Sequence, residues 1–236
     1  MCGRYALVNG KEVFLTGSQM MKMRELGQAF KLLPRYNASP TQMMPVIYIR
    51  EGELVVQPMQ WWLVPHWSKD GKVNFSTFNA KSETLEQSKL FSPYFKGSRC
   101  LIPAEAFYEW KKISDKEKQP ICIRMRDEKP FMFAGLFSIW KNKQGEEFPT
   151  FTIITTEPNE LLKDIHHRMP VILHGKDYAQ WLDPDNKDTG ELRKLLVPYP
   201  ASKMKAYPVS KMVSNSRNDS PGCWTPVTIE QKKSFR

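Results

Sequence analysis

The chain has 236 residues, 41% hydrophobic and 25% charged, which fits one large domain or two small ones with a full core. It holds no apolar run of the ~18 residues that a membrane-spanning helix needs and no basic-then-apolar leader, so a cytoplasmic location is expected. Lys and Arg number 35 against 25 Asp and Glu; the resulting +10 points to a polyanionic partner, nucleic acid before membrane.

In chain order, Met, Leu and Phe at helical spacing behind a Ser cap predict a helix over 18–31. The Pro, Asn and Ser content of 34–40 predicts a loop. Short β-like runs at 46–49 and 54–59, separated by Glu51-Gly52, predict a hairpin. Residues 61–65 continue as strand into turn, and 83–91 reads as a short helix. Runs rich in aromatic and β-branched residues predict strands over 99–102, 107–111, 121–125, 131–140 and 151–156. Proline near the start of 158–165 predicts a helix there. Further helices are expected over 178–182 and 189–196, and a late strand over 204–209. The rest, from 214 to 236, reads as a polar tail on a single domain spanning 1–236. Strands dominate without a βαβ rhythm. The expectation is therefore α+β, with a mainly antiparallel, barrel-like β core and peripheral helices.

Cys2, Cys100, Cys122 and Cys223 are far apart and form no C-x-x-C pair. Neither a disulfide framework nor a metal site is expected, and no cofactor is called for. Seven Trp among many cations suit single-stranded nucleic acid, where phosphates meet cations and bases stack on rings.

Four places combine reactive side chains with loop or strand-end context. The first is Met1-Cys2-Gly3-Arg4-Tyr5. If Met1 is removed, Cys2 carries an α-amine (pKa ~7.7–8.0) beside its own thiol (pKa ~8.5). An uncharged amine adds to an aldehyde as a Schiff base, and the neighbouring thiol can then close a five-membered thiazolidine. The second is the run 74–83. In it Asn79 offers donor and acceptor together and Lys81 a phosphate partner, or the segment is simply a polar helix start. The third is Glu105-Ala106-Phe107-Tyr108-Glu109-Trp110. Aromatic neighbours there either raise the pKa of Glu109 by desolvation or leave it facing outward from an alternating strand. The fourth is Asp164-Ile165-His166-His167-Arg168-Met169-Pro170, a candidate proton shuttle.

Together with Arg35-Tyr36-Asn37-Ala38-Ser39-Pro40, Trp61-Trp62-Leu63-Val64-Pro65-His66-Trp67, Asn79-Ala80-Lys81-Ser82-Glu83 and Arg99-Cys100-Leu101-Ile102-Pro103, these motifs resemble, in order, the SOS-response-associated peptidase family of abasic-site processing proteins. The resemblance runs to about Pro208. It implies a covalent thiazolidine between Cys2 and the ring-opened aldehyde of an abasic site in single-stranded DNA. By the same resemblance Glu109, His166 and Asn79 join Cys2 as catalytic residues. Arg4 and Lys81 match phosphate-contacting positions, and Pro40 and Trp67 match positions that wedge or stack at the lesion. The protein is expected to act as a monomer, with weak lyase activity or self-processing as side reactions. Three positions depart from the usual pattern: Trp62 in place of a common Gly, Lys81 in place of Arg, and His167 where an acid is common. A thiol peptidase using Cys2 and His166, and a passive single-strand-binding module, are the alternatives.

Overall fold

The structure, a computed structural model, describes residues 2–9 and 34–228; the helix expected over 18–31 lies outside them. Thirteen strands are present among the described residues: β1 (Tyr5–Leu7), β2 (Arg35–Ala38), β3 (Met43–Arg50), β4 (Glu53–Trp61), β5 (Asn79–Lys81), β6 (Arg99–Ala104), β7 (Ala106–Lys112), β8 (Lys118–Met125), β9 (Phe131–Lys141), β10 (Glu147–Thr156), β11 (Met169–Pro170), β12 (Ile172–Leu173) and β13 (Met204–Pro208). Three short helices, α1 (Ser92–Gly97), α2 (Tyr178–Leu182) and α3 (Thr189–Lys194), lie at the periphery.

The hairpin predicted around Glu51-Gly52 forms β3 and β4, paired from Met43↔Gln60 to Arg50↔Glu53. Both turn residues have positive φ, 53° and 78°, the backbone that a tight two-residue connection demands. β3 also meets β6, β6 meets β9, β9 meets β10, and β10 returns to β4 by a short parallel pairing. The circuit closes into a five-stranded barrel. Gly135 marks a tight point: a Cβ there would lie 2.2 Å from Ile102 Cδ1 and 2.7 Å from Thr152 O. Only glycine lets β6 and β10 approach β9 so closely.

A second sheet, in the order β13-β8-β7-β1-β2, packs against the barrel. The contact is aromatic. Tyr5 meets the Trp61 and Phe133 rings edge-on at 5.2 and 5.7 Å, and Phe107 meets Phe133 at 6.1 Å. Edge-to-face pairs match a ring's positive rim to its neighbour's negative face. Side chains alternate along β7, so Phe107 and Glu109 share the barrel side. Tyr108 points the other way, into a smaller cluster with Cys122, Val213 and Cys223.

The α+β, barrel-like expectation holds, while three local expectations do not. Residues 35–38 form a strand, not a loop. Over 83–91 there is one 3₁₀ turn (Ser82–Thr84) followed by turns, and the helix starts only at Ser92-Pro93. Residues 158–165 form turns rather than a helix. The Asn159 side chain accepts the N–H groups of Leu161 and Leu162, each at 3.1 Å, competing with a helical ladder.

Candidate active site

β1 leads back from Tyr5 to Cys2, which is fully buried. The Cys2 thiol lies 3.9 Å from the Arg4 carbonyl, and that carbonyl also accepts the Tyr108 N–H at 3.0 Å. This pins the segment before β1 alongside β7. Burial, and then the charge of Glu109, push the thiol well above its ordinary pKa, so the sulfur holds its proton at neutral pH.

Glu109 is 2% exposed and its Oε1 has no hydrogen-bond partner. Burial raises its pKa to about 8. His166 Nδ1 lies 3.7 Å from Glu109 Oε2, and 3.2 Å from both the main-chain N and O of Arg168. Burial lowers the imidazole to about 4. The contact has the spacing of an ion pair, but both directions favour uncharged forms. At neutral pH it is a carboxylic acid beside a neutral ring. Cys2, Glu109 and His166 are thus brought together.

Asn79 opens β5, whose pairing with β10 sets Asn79 opposite Ile153. Its Nδ2 donates to the Phe78 and Ile153 carbonyls at 2.9 and 3.3 Å, while its buried Oδ1 is without a partner. Among the described residues it makes no hydrogen bond to Cys2, Glu109 or His166. Its link to them is architectural. β11, three residues after His166, pairs with Thr155 and Thr156 of the same strand, β10. Arg168, which the motif reading left without a role, fixes this arrangement: it grips Glu83 through two bonds, at 2.7 and 2.9 Å, and donates to Thr155 O at 2.6 Å. Such a fork needs guanidinium geometry.

The expected DNA-contacting residues divide. Trp67 is 56% exposed and Lys81 is exposed. Pro40 begins a turn in which Thr41 has φ of 77°, held by Thr41 N–H to Trp61 O (3.0 Å) and Gln60 Nε2 to Thr41 O (3.1 Å). Arg4 is differently placed. Its guanidinium donates to Val213 O at 2.6 Å and to Asn37 Oδ1 at 3.3 Å, and sits 5.9 Å from the centre of the Trp110 ring. Its first role is internal. Asn37 and Asp219, neither of them singled out by the sequence motifs, sit in this network.

All four cysteines are free and buried, and no cluster of three His, Cys, Asp or Glu with metal-binding potential occurs among the described residues. No described helix is long and apolar enough to cross a membrane.

Fold and site define a mixed α+β protein in which the start of the chain, a buried carboxyl and a neutral imidazole converge where a small barrel meets a second sheet. A family model described as SOS response associated peptidase (SRAP) matches residues 1–216, and the chain belongs to that family. It is 38% identical over 221 residues to the abasic site processing protein YoqW of Bacillus subtilis (strain 168), covering 94% of this chain and 97% of that one. It is 32% identical over 241 residues to the abasic site processing protein HMCES of Rattus norvegicus, covering 86% and 68%. A crystal structure of a protein from Bacteroides thetaiotaomicron superposes with a TM-score of 0.82 at 25% identity, covering 96% of this chain and all of that one. A second, from Bordetella bronchiseptica, gives 0.73 at 25% identity over 89% of this chain.

Proposed function

We propose that the protein processes abasic sites in single-stranded DNA by forming a covalent thiazolidine with them through Cys2. The observation that carries the reading is the convergence of Cys2 with Glu109 and His166. Removal of Met1 frees the α-amine. The amine adds to the C1′ aldehyde of the opened sugar, the resulting carbinolamine loses one water, and an imine forms. The sulfur then bonds to the imine carbon, and the thiol proton passes to nitrogen.

The proton inventory assigns roles. At neutral pH Glu109 carries a proton and His166 carries none to spare. Glu109 is therefore the group that protonates the departing water. As a carboxylate it then draws the proton from the Cys2 sulfur. His166, the candidate proton shuttle of the sequence, fits as the relay that reloads Glu109 from solvent. Asn79, with an unused Oδ1, orients the amine or the sugar. Trp67, Pro40 and Lys81 hold the flanking strand by stacking, wedging and charge. Arg4 reaches phosphate only with what its carbonyl contacts leave over. A thiol peptidase would need a thiolate–imidazolium pair, and here the thiol is pushed up and the imidazole down.

Cys2→Ala tests the reading. Wild-type protein is expected to give a denaturation-resistant adduct with an abasic oligonucleotide, and the variant none. An adduct at full yield from Cys2→Ala would overturn it.

A further inference from the structure

β1 is three residues long and pairs with β7 at only Tyr5↔Phe107 and Ala6↔Ala106. Its other neighbour, β2, ends the sheet, so the outer edge of β2 meets no further strand among the described residues. Residues 213–224 lie along that edge instead, and most of them fall beyond residue 216, where the family match stops. Asp219 Oδ1 accepts the main-chain N–H groups of Tyr36 and Asn37 at 2.6 and 3.1 Å, and Oδ2 meets Arg35 Nη1 at 3.1 Å. Buried Asn37 shares its Nδ2 among the carbonyls of Val213, Asn215 and Asn218, at 3.1, 3.0 and 2.7 Å. Trp224 meets the Tyr36 ring edge-on at 5.3 Å, and Trp110 Nε1 donates to Ser214 Oγ at 3.0 Å.

We propose that residues 213–224 are a clasp that sets Cys2 against Glu109, with Asp219 as its positioning residue. The inference rests on the reading of Cys2 as the nucleophile. The path is continuous: Asp219 fixes the backbone of β2, Asn37 Oδ1 takes the Arg4 guanidinium, and the Arg4 carbonyl lies against the Cys2 thiol. Two edge amides that would otherwise lack partners are satisfied by one carboxylate. The hydrogen bonds and ring contacts of the clasp reach none of Trp67, Asn79 or Lys81 among the described residues. Its one tie to a strand-contacting candidate is Arg4, whose guanidinium is already committed to Asn37 and Val213, so loosening it acts first on the placement of the nucleophile. Misplacement by about 1 Å can cost on the order of a hundredfold in rate.

The test separates the two quantities in the full-length protein. Crosslinking at saturating abasic single strand gives the rate, and binding of a strand carrying an unreactive tetrahydrofuran analogue gives the Kd. Asp219→Ala is expected to lower the saturating rate by ~10-fold or more while the Kd stays within about twofold. Asp219→Asn, which keeps an acceptor for both amides, recovers most of that rate. Trp224→Ala loosens the clasp from its far end and gives the same split at smaller size. A saturating rate at the wild-type level in both alanine variants, or a loss that lies wholly in Kd, overturns the clasp. If the wild-type protein forms no Cys2-dependent adduct, the parent reading fails first and the clasp falls with it.

Discussion

Cys2 and Trp67 lie at opposite extremes of exposure, 0% and 56%, and are held by opposite means. Around Cys2 the support is buried and polar. It comes from the Arg4 carbonyl, the Asn37 knot and a carboxyl kept protonated by desolvation. Around Trp67 the support is an aromatic brace beneath an exposed loop. Trp140 Nε1 donates to Ser68 O at 2.7 Å, and Gly71, at φ of 74°, lies flat on the indole. Ser68 Oγ and Asp70 Oδ1 then close the loop onto Lys72. The contrast teaches that two different demands are met in two different places. On the proposed reading, one region holds a reactive group still in low dielectric and the other meets a flexible polyanion in water.

The largest expected effect breaks the buried side alone. Glu109→Gln should lower the saturating crosslinking rate by ~10²–10⁴-fold, the range for loss of a positioned acid–base group, with strand affinity kept. The pH profile sharpens this. Wild-type rate should fall as pH rises through about 8, where Glu109 gives up its proton, and Glu109→Gln should lack that limb. Stability follows the same group. Between the ordinary carboxyl value and about 8, the folded state keeps a proton that the unfolded state has lost. Wild-type stability therefore falls with rising pH across that window and is level beyond it. Urea unfolding of Glu109→Gln should show this slope removed.

The next effect breaks the exposed side alone. In Gly71→Ala the new Cβ would sit 3.0 Å from Trp140 Cζ3, on a left-handed backbone that costs a non-glycine residue ~1–2 kcal/mol. Strand affinity should drop roughly tenfold with the saturating crosslinking rate unchanged. A fall in that rate would show that the two regions are not separable.

The smallest effect concerns the turn at Pro40. Thr41, a β-branched residue, occupies the left-handed region at φ of 77°. Thr41→Gly relieves that strain and should leave thermal stability unchanged or raise it by up to ~1 kcal/mol. A clear loss of Tm would show that the Thr41 side chain carries a contact of its own.

Much of this was legible in the sequence because it is local. Alternating aromatic and β-branched runs announced the long strands, and Glu51-Gly52 announced its hairpin. A barrel-like core was legible, but the strands that close it were not, because β10 meets β4 through only two residue pairs far apart in sequence. Residues 35–38 read as loop because their composition suits one. They are a strand because they pair with β1, Tyr5↔Ala38 and Leu7↔Arg35, while Asp219 satisfies the amides of Tyr36 and Asn37. Of the site, the motif residues Cys2, Glu109 and His166 proved to be neighbours. The proton state of Glu109 depended on how completely Phe107 and its barrel partners shut out water, which no spacing records. The internal role of Arg4 was hidden because its partners, Asn37 Oδ1 and Val213 O, are brought to it only by the fold from distant points of the sequence.

Intact mass spectrometry of the protein mixed with an abasic single strand tests the central claim most directly. The account predicts one covalent species, with the mass of the chain lacking Met1 plus the strand minus one water, stable without reductant and absent with Cys2→Ala. A species that retains Met1, or one that survives only after borohydride reduction, would contradict it.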